Sequence, residues 1–325
     1  RFVIRPGDRS NKSLINSGLP YTPYVSKFSH DLCRWLLQED GCRIRIDHFE
    51  DAEFDLNKVL AITLPSLERS ETTSGAENME LLGTLQVRHD QDVRFLLDEL
   101  SKLDHTPRIK DFLFDGLGLY LRILPKDKAF SRSFNRIPTP RPYFHEGILK
   151  EFDQWELLER PLGSATEMNG PAMLSAIRAV KLSMVLTDRE TDPTTYLDDR
   201  TFRLFALERG ISVAIYGMVP SRQLPLESYI GYTLFKNGFP AAYGGAWVFG
   251  RRADFGINIF EAFRGGESGY MLCQLLRVYR QVFKVEHFEI EPCQFGLDNQ
   301  DGITTGAFWF YHRYGFRPTD TQLLE

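Results

Sequence analysis

The stretch of this sequence best suited to hold a ligand is Arg264-Gly265-Gly266-Glu267-Ser268-Gly269. Two adjacent glycines lack a Cβ, so their backbone can come close to a bound group. An amphipathic segment follows at once, with Leu272, Leu275, Leu276, Tyr279 and Phe283 at helical spacing between Tyr270 and Phe283. The first turn of such a helix presents unpaired N–H groups and the positive end of its dipole, which suits a pyrophosphate. Arg264 adds a cation at the mouth of that turn. A tight strand-to-helix turn without a ligand would use the same residues. The spacing is not G-x-G-x-x-G and a hairpin precedes it, so a dinucleotide-binding Rossmann turn is not expected.

Other chemistries find little support. His30, His48, His89, His105, His145, His287 and His312 are scattered, without His-x-x-x-His or His-Glu-x-x-His spacing, so no metal site is expected. Cys33, Cys42, Cys273 and Cys293 form no Cys-x-x-Cys pair and point to a reducing, cytoplasmic setting. Gly-x-Ser-x-Gly and Gly-x-x-x-x-Gly-Lys-[Ser/Thr] are absent, which argues against an α/β-hydrolase and a phosphate-cradling NTPase. With 39 basic against 44 acidic residues the net charge is −5, so no nucleic-acid partner is expected from bulk charge. No apolar run reaches membrane-spanning length.

The elements that must position the glycine turn lie mostly downstream of residue 165. Ile211 to Tyr216 reads as a strand. Tyr229 to Phe235 and Pro240 to Phe249 read as a hairpin about Asn237-Gly238, a pair able to take the positive φ that a type I′ turn demands. Asp254 to Phe260 is a third strand, Val285 to Glu291 a fourth, and Gly306 to Tyr314 a short aromatic helix. Pro171 to Leu186 is a helix with Met173, Ala176, Ile177, Val180 and Met184 on one face. Upstream, helices are expected at Asp31 to Gln38 and Asp90 to Leu103. Strands are expected at Arg43 to His48 and Leu81 to Val87, with a loop over 67–79. The prolines and basic residues of 125–145 suggest a connector or a loop wrapping a neighbour; its basic bias could attract phosphate, and a solvated loop is the plainer reading. At 325 residues the chain is long enough for two domains, and the absence of an initiator methionine suggests a fragment.

From about residue 190 to 318 the pattern resembles the GNAT superfamily of acyl-CoA-dependent N-acyltransferases. Arg264 and Gly269 match that family's Arg-x-x-Gly-x-Gly signature at its ends, while Glu267 stands where the middle glycine is usual. Ala307, Tyr311, Gly315 and Phe316 match a second signature without a gap, and Asn299 resembles the upstream asparagine. The stretches Glu190 to Pro193, Pro225 to Ser228, Arg264 to Ser268 and Gly306 to Tyr311 resemble a bacterial group of GNAT-like proteins.

The resemblance implies an α/β (α+β) fold: a mixed, largely antiparallel sheet flanked by helices over 166–325, with an additional α+β region over 1–165. It implies an acyl-CoA donor, acetyl or longer. The pantetheine arm would pair with Asn258, Ile259 and Phe260, and the phosphates would lie on Arg264, Gly265, Gly266, Glu267, Ser268 and Gly269. Tyr311 would protonate the departing thiolate, and Glu261 or Glu289 would take the proton of a small-molecule or peptide amine, with His312 a weaker choice. A carboxylate at Glu267 would repel phosphate unless it turned away. Two alternatives remain open. One is a non-catalytic scaffold on the same fold. The other is an acyltransferase using a carrier-protein or aminoacyl donor, docked on Arg277 and Arg280.

Overall fold

The computed structural model describes residues 12–72, 75–103, 107–139, 141–224, 226 and 228–319. His105, Pro225 and Glu227 therefore lie outside the described residues, as does the chain before Lys12. The protein is of mixed α+β class and divides into two compact units, 1–135 with 182–190, and 136–181 with 191–325. Position 165 falls inside the second unit. Among the described residues no helix is long and apolar enough to cross a membrane.

The first unit is built on three antiparallel strands, β1 (Tyr24–Ser26), β2 (Cys42–Phe49) and β3 (Leu119–Pro125), in the order β1-β3-β2. Alternation on β2 and β3 sends Ile44, Ile46, Leu119, Leu121 and Ile123 into a core with Leu32 and Leu36 of the helix His30–Gln38. Leu96, Leu97 and Leu100 of the helix Asp92–Ser101 join them. Ser29 caps the first of these helices by accepting from the Leu32 N–H.

Two expectations fail here. Leu81 to Val87 is not a strand: Asn78–Thr84 is helical, and Leu81 and Leu82 are buried while Met79 is exposed. A leucine pair in a short run fits either period, and packing decided it. Within the expected loop over 67–79, Arg69–Thr72 forms one helical turn. The apolar run from Asp111 to Leu124 is split at Gly116 and Gly118 into the end of the helix Pro107–Asp115 and β3. Gly118 has φ +58, and a Cβ there would overlap the Glu50 carbonyl.

The second unit carries six strands in sequence order: β4 (Arg203–Ala206), β5 (Ile211–Tyr216), β6 (Ser228–Lys236), β7 (Phe239–Phe249), β8 (Arg252–Ile259) and β9 (His287–Glu289). All neighbours are antiparallel except β8 and β9, which run parallel. The β6–β7 turn has Asn237 at φ 50 and Gly238 at φ 82, as a type I′ hairpin requires.

One sheet face, with Val213, Tyr232, Leu234, Ala253 and Phe255, packs with Leu272, Leu275, Leu276 and Tyr279 of the helix Ser268–Phe283. Ala214, Tyr216 and Phe235 instead pack with Ala176, Ile177 and Val180 of the helix Gly170–Val185. That helix continues into residues 182–185, where Leu182 and Val185 belong to the first unit's core.

A row of glycines, Gly231, Gly245 and Gly256, stands in register across β6, β7 and β8. The space each Cβ would fill is taken by Pro193 and Tyr216, by Tyr229, and by Gln294 respectively. The glycines thus let helices and rings lie close on the sheet.

Candidate functional site

Strand β8 delivers the chain to the glycine turn. Its core-facing Ile257 and Ile259 pack against the second unit's main core, while Asn258 is exposed on the other face beside Tyr243. Phe260 leaves the sheet with its N–H bonded to the Ala241 carbonyl and its ring tilted on Tyr243 at 5.2 Å. Glu261–Phe263 forms one 3-10 turn, after which Arg264 folds back and donates from Nε to the Ile259 carbonyl at 3.2 Å. Gly265 and Gly266 follow at φ +75 and +54, with open space where either Cβ would stand. Among the described residues nothing accepts from the N–H groups of Gly265, Gly266 and Glu267. Ser268 N–H is already committed to the Gly265 carbonyl. Gly269 has a packing role, since a Cβ there would overlap the Tyr314 phenol.

Glu267 turns inward from this turn. Its side chain is 5% exposed and ion-paired to Arg209 and to Lys236, the latter at 3.1 Å. The Leu149 N–H donates to it at 3.1 Å and His145 Nδ1 stands at 3.2 Å. Against a burial that would raise it, the hydrogen bonds from Arg209, Leu149 and Lys236 drive the Glu267 pKa down to about 2. The carboxylate therefore stays ionised and faces away from the open turn. Its two cationic partners leave the cluster with a surplus positive charge beside the helix start.

The cluster is held together by the proline-rich segment after Asn135. Ile137 N–H bonds the Gly238 carbonyl at 2.9 Å. The Asn237 side chain grips both backbone groups of Tyr143, at 2.8 and 2.9 Å. Arg209, itself at φ 58, lies over the Tyr143 ring and donates to its hydroxyl at 2.8 Å. Of the two readings of this segment, a solvated connector and a loop wrapping a neighbour, the contacts from Ile137 to Tyr143 fit the second: it is a strap seated on the β6–β7 hairpin end. Sequence reading passes over Arg209 and Lys236 because each is a lone basic residue; the adjacent Asn237-Gly238 was the only legible mark.

On the far side of β8 the sheet opens. β9 pairs with β8 only from Arg252 to Asp254, opposite His287 to Glu289. From Phe255 to Ile259 no described strand pairs with the outer edge of β8. Gln294 of the short helix Pro292–Phe295 stands against Gly256, 3.2 Å from where its Cβ would be. Tyr311, on the helix Ala307–Arg313, is buried and donates to Gln294 Oε1 at 3.2 Å. Its ring stacks on Phe295, and burial pushes its pKa above the ordinary phenol value. Asn299 caps the helix Gln300–Thr305 and also donates to the Cys293 carbonyl at 2.9 Å.

The expected bases differ in setting. Glu261 is exposed on its 3-10 turn, and Glu289 is exposed on β9 with Arg252 at 3.4 Å. His312 stacks on Phe308. Asp254, which the sequence marks only as the start of a strand, lies on β8 opposite Glu289. Burial, a hydrogen bond with Glu291 and the charges of Glu291 and Glu289 raise its pKa to about 6. Asp254 is thus a proton acceptor poised nearer neutrality than an ordinary carboxylate. Its period-2 position gave no sign of this, because the partner Glu291 comes from a different element.

The arginines expected to dock a carrier protein are otherwise engaged. Arg277 is buried, bonded to Glu208 and to the carbonyls of Arg160 and Pro161. Arg280 is paired with Glu159. Together Arg277 and Arg280 fasten residues 159–161 to the helix.

Comparison of the chain with protein-family models, with curated proteins and with solved structures finds no match.

Proposed function

We propose that the second unit transfers an acyl group from a coenzyme A thioester to an amine. The observation that carries the reading is the β8–turn–helix–β9 unit. A strand whose outer edge no described strand pairs from Phe255 to Ile259 runs into an open two-glycine turn at the start of a 16-residue helix, and the chain returns parallel to its first residues. Pantetheine amides would pair along Asn258 to Phe260. The phosphates would meet the N–H groups of Gly265, Gly266 and Glu267, with Arg264 at the rim. Glu267 presents no repulsion, because Arg209 and Lys236 hold its carboxylate inward.

In the reaction the amine nitrogen attacks the thioester carbonyl, a C–N bond forms and the C–S bond breaks. Asp254, its pKa raised toward neutrality by burial and by Glu291 beside it, would take the amine's proton in preference to exposed Glu261 or Glu289. Tyr311 would donate toward the thiolate. Its raised pKa makes full transfer to a thiolate, whose conjugate thiol titrates near ~8.5, unfavourable. Its part is therefore a hydrogen bond to the developing charge once Gln294 releases it. Positioning supplies most of the rate.

The test is calorimetric titration of acetyl-CoA and longer acyl-CoAs, beside Arg264→Ala. Micromolar binding weakened in the variant supports the reading, and acceptor screening with Asp254→Asn then follows. No binding by either protein sinks it and leaves the scaffold reading, which the burial of Tyr311 favours.

A further inference from the structure

The three-stranded sheet of the first unit turns an unusual face to solvent. Ile44, Ile46, Leu121 and Ile123 occupy its core side, so Arg43, Arg45, Tyr120 and Arg122 lie on the other. β2 and β3 set Arg45 directly opposite Arg122, and Val25 of β1 flanks Arg122. Directly opposed side chains start about 5 Å apart at Cβ, so two like charges there repel.

One carboxylate answers this pair. Asp47, the extra residue of a bulge between Ile46 and His48, accepts from Arg122 Nε. Its other oxygen meets His48 Nδ1 at 2.9 Å. His48 stacks flat on Tyr120, with ring centroids 4.5 Å apart, and its Nε2 stands 3.6 Å from Glu50.

Among the described residues Arg45 has no carboxylate partner. Its Nη1 meets only the neutral acceptor His89 Nε2, at 3.0 Å. His89 is oriented from behind by buried Asp92, at 3.2 Å from Nδ1, and Asp92 is itself fixed by the N–H groups of Ile46 and Val93. That network assigns the His89 proton to Nδ1 and leaves Nε2 to accept. Arg45 Nε is buried without an acceptor. Among the described residues no acceptor meets the Nη groups of Arg122 either.

Two guanidinium groups thus stand opposite one another in the register, each oriented by its neighbours, and among the described residues Arg45 meets no carboxylate while the Nη groups of Arg122 meet no acceptor. We propose that this face binds a phosphate group between Arg45 and Arg122, carried by a nucleotide or a similar phosphorylated ligand. The planar, multi-donor guanidinium matches phosphate oxygens in pairs. The exposed side of the His48–Tyr120 stack lies on the same face and offers a flat surface to a base. This inference is independent of acyl transfer and concerns residues of the first unit alone.

The experiment titrates inorganic phosphate, adenosine monophosphate and a short single-stranded oligonucleotide into the full chain, at constant ionic strength set with chloride. At least one probe binds, and Arg45→Gln weakens it by about tenfold or more, the worth of a charge-assisted pair. Arg45→Lys, which keeps the charge and loses the fork, weakens it several-fold. The unliganded Arg45→Gln protein melts no lower than the parent, because the change relieves repulsion and strands no carboxylate. Tighter binding of the nucleotide than of phosphate, lost in His48→Ala, identifies the base-stacking surface. Retention of binding in Arg264→Ala separates this site from the glycine turn. Failure of all three probes to bind overturns the proposal, as does unchanged affinity in Arg45→Gln.

Discussion

At the scale of single residues, Glu267 shows how a sequence departure acquires a physical reason. In the usual glycine position a carboxylate looks like an obstacle. The structure turns it into the anion that reconciles Arg209 with Lys236. Glu267→Gln leaves two cations buried together and is expected to cost about 3–5 kcal/mol, read by urea unfolding. The pH dependence follows from the same contacts. The folded pKa of Glu267 is depressed to about 2 from 4.5, so its stabilisation is present above about pH 4.5 and disappears as pH falls toward 2. Parent and Glu267→Gln stability curves should therefore converge on acidification. Asp254 has the opposite sign. Its pKa is raised to about 6, so its cost to stability is absent below pH 3.8 and grows as pH rises through 6. Asp254→Asn should be more stable than the parent at neutral pH and no more stable at pH 3.5. A variant less stable at pH 7 would show the carboxylate is satisfied by some other contact.

Among the elements, the β6–β7 hairpin matters beyond its own strands, because its turn anchors the strap of residues 137–149. Gly238→Ala would set a Cβ against the Ile137 carbonyl at φ +82, a double penalty that no rotamer relieves. The expected loss is more than about 2 kcal/mol. Limited proteolysis should then cut within 141–149 well before the sheet is lost. Unchanged protection of that segment would show that Asn237 and Arg209 suffice to hold it. At the other end of the site, Gly269→Ala must displace the Tyr314 ring, at a cost of about 1–3 kcal/mol. Thermal melts read that loss, and it should persist whether or not coenzyme A is present. A ligand-contact role for Gly269 would instead make affinity fall with stability unchanged.

For the whole molecule, the two units carry separate expectations that one measurement can read together. Hydrogen exchange with acetyl-CoA should slow amides of Phe255 to Tyr270 and leave β2 and β3 as they are. Exchange with a phosphate probe should do the reverse, slowing Arg43 to His48 and Tyr120 to Arg122. Protection of the same peptides by both ligands would remove the case for two sites.

By itself the sequence determined the local devices: the Asn237-Gly238 turn, the alternation on β2, the amphipathic helix after Gly266, and the hairpin that leads to it. Each depends on residues within a few positions of one another, where backbone sterics and hydrophobic period act alone. The helix at Asn78–Thr84 and the division after Asn135 were not legible, because short apolar runs and proline-rich segments take their structure from what they pack on. The charge networks needed the fold most. Glu267 meets Arg209 across 58 positions, Arg45 reaches His89 across 44, and Gln294 meets Tyr311 across 17. A lone arginine or glutamate carries no mark of its partner. Only tertiary structure decides which charges are buried, which are answered, and which remain open to a ligand, because those energies depend on distance and solvent access rather than on neighbours in the chain.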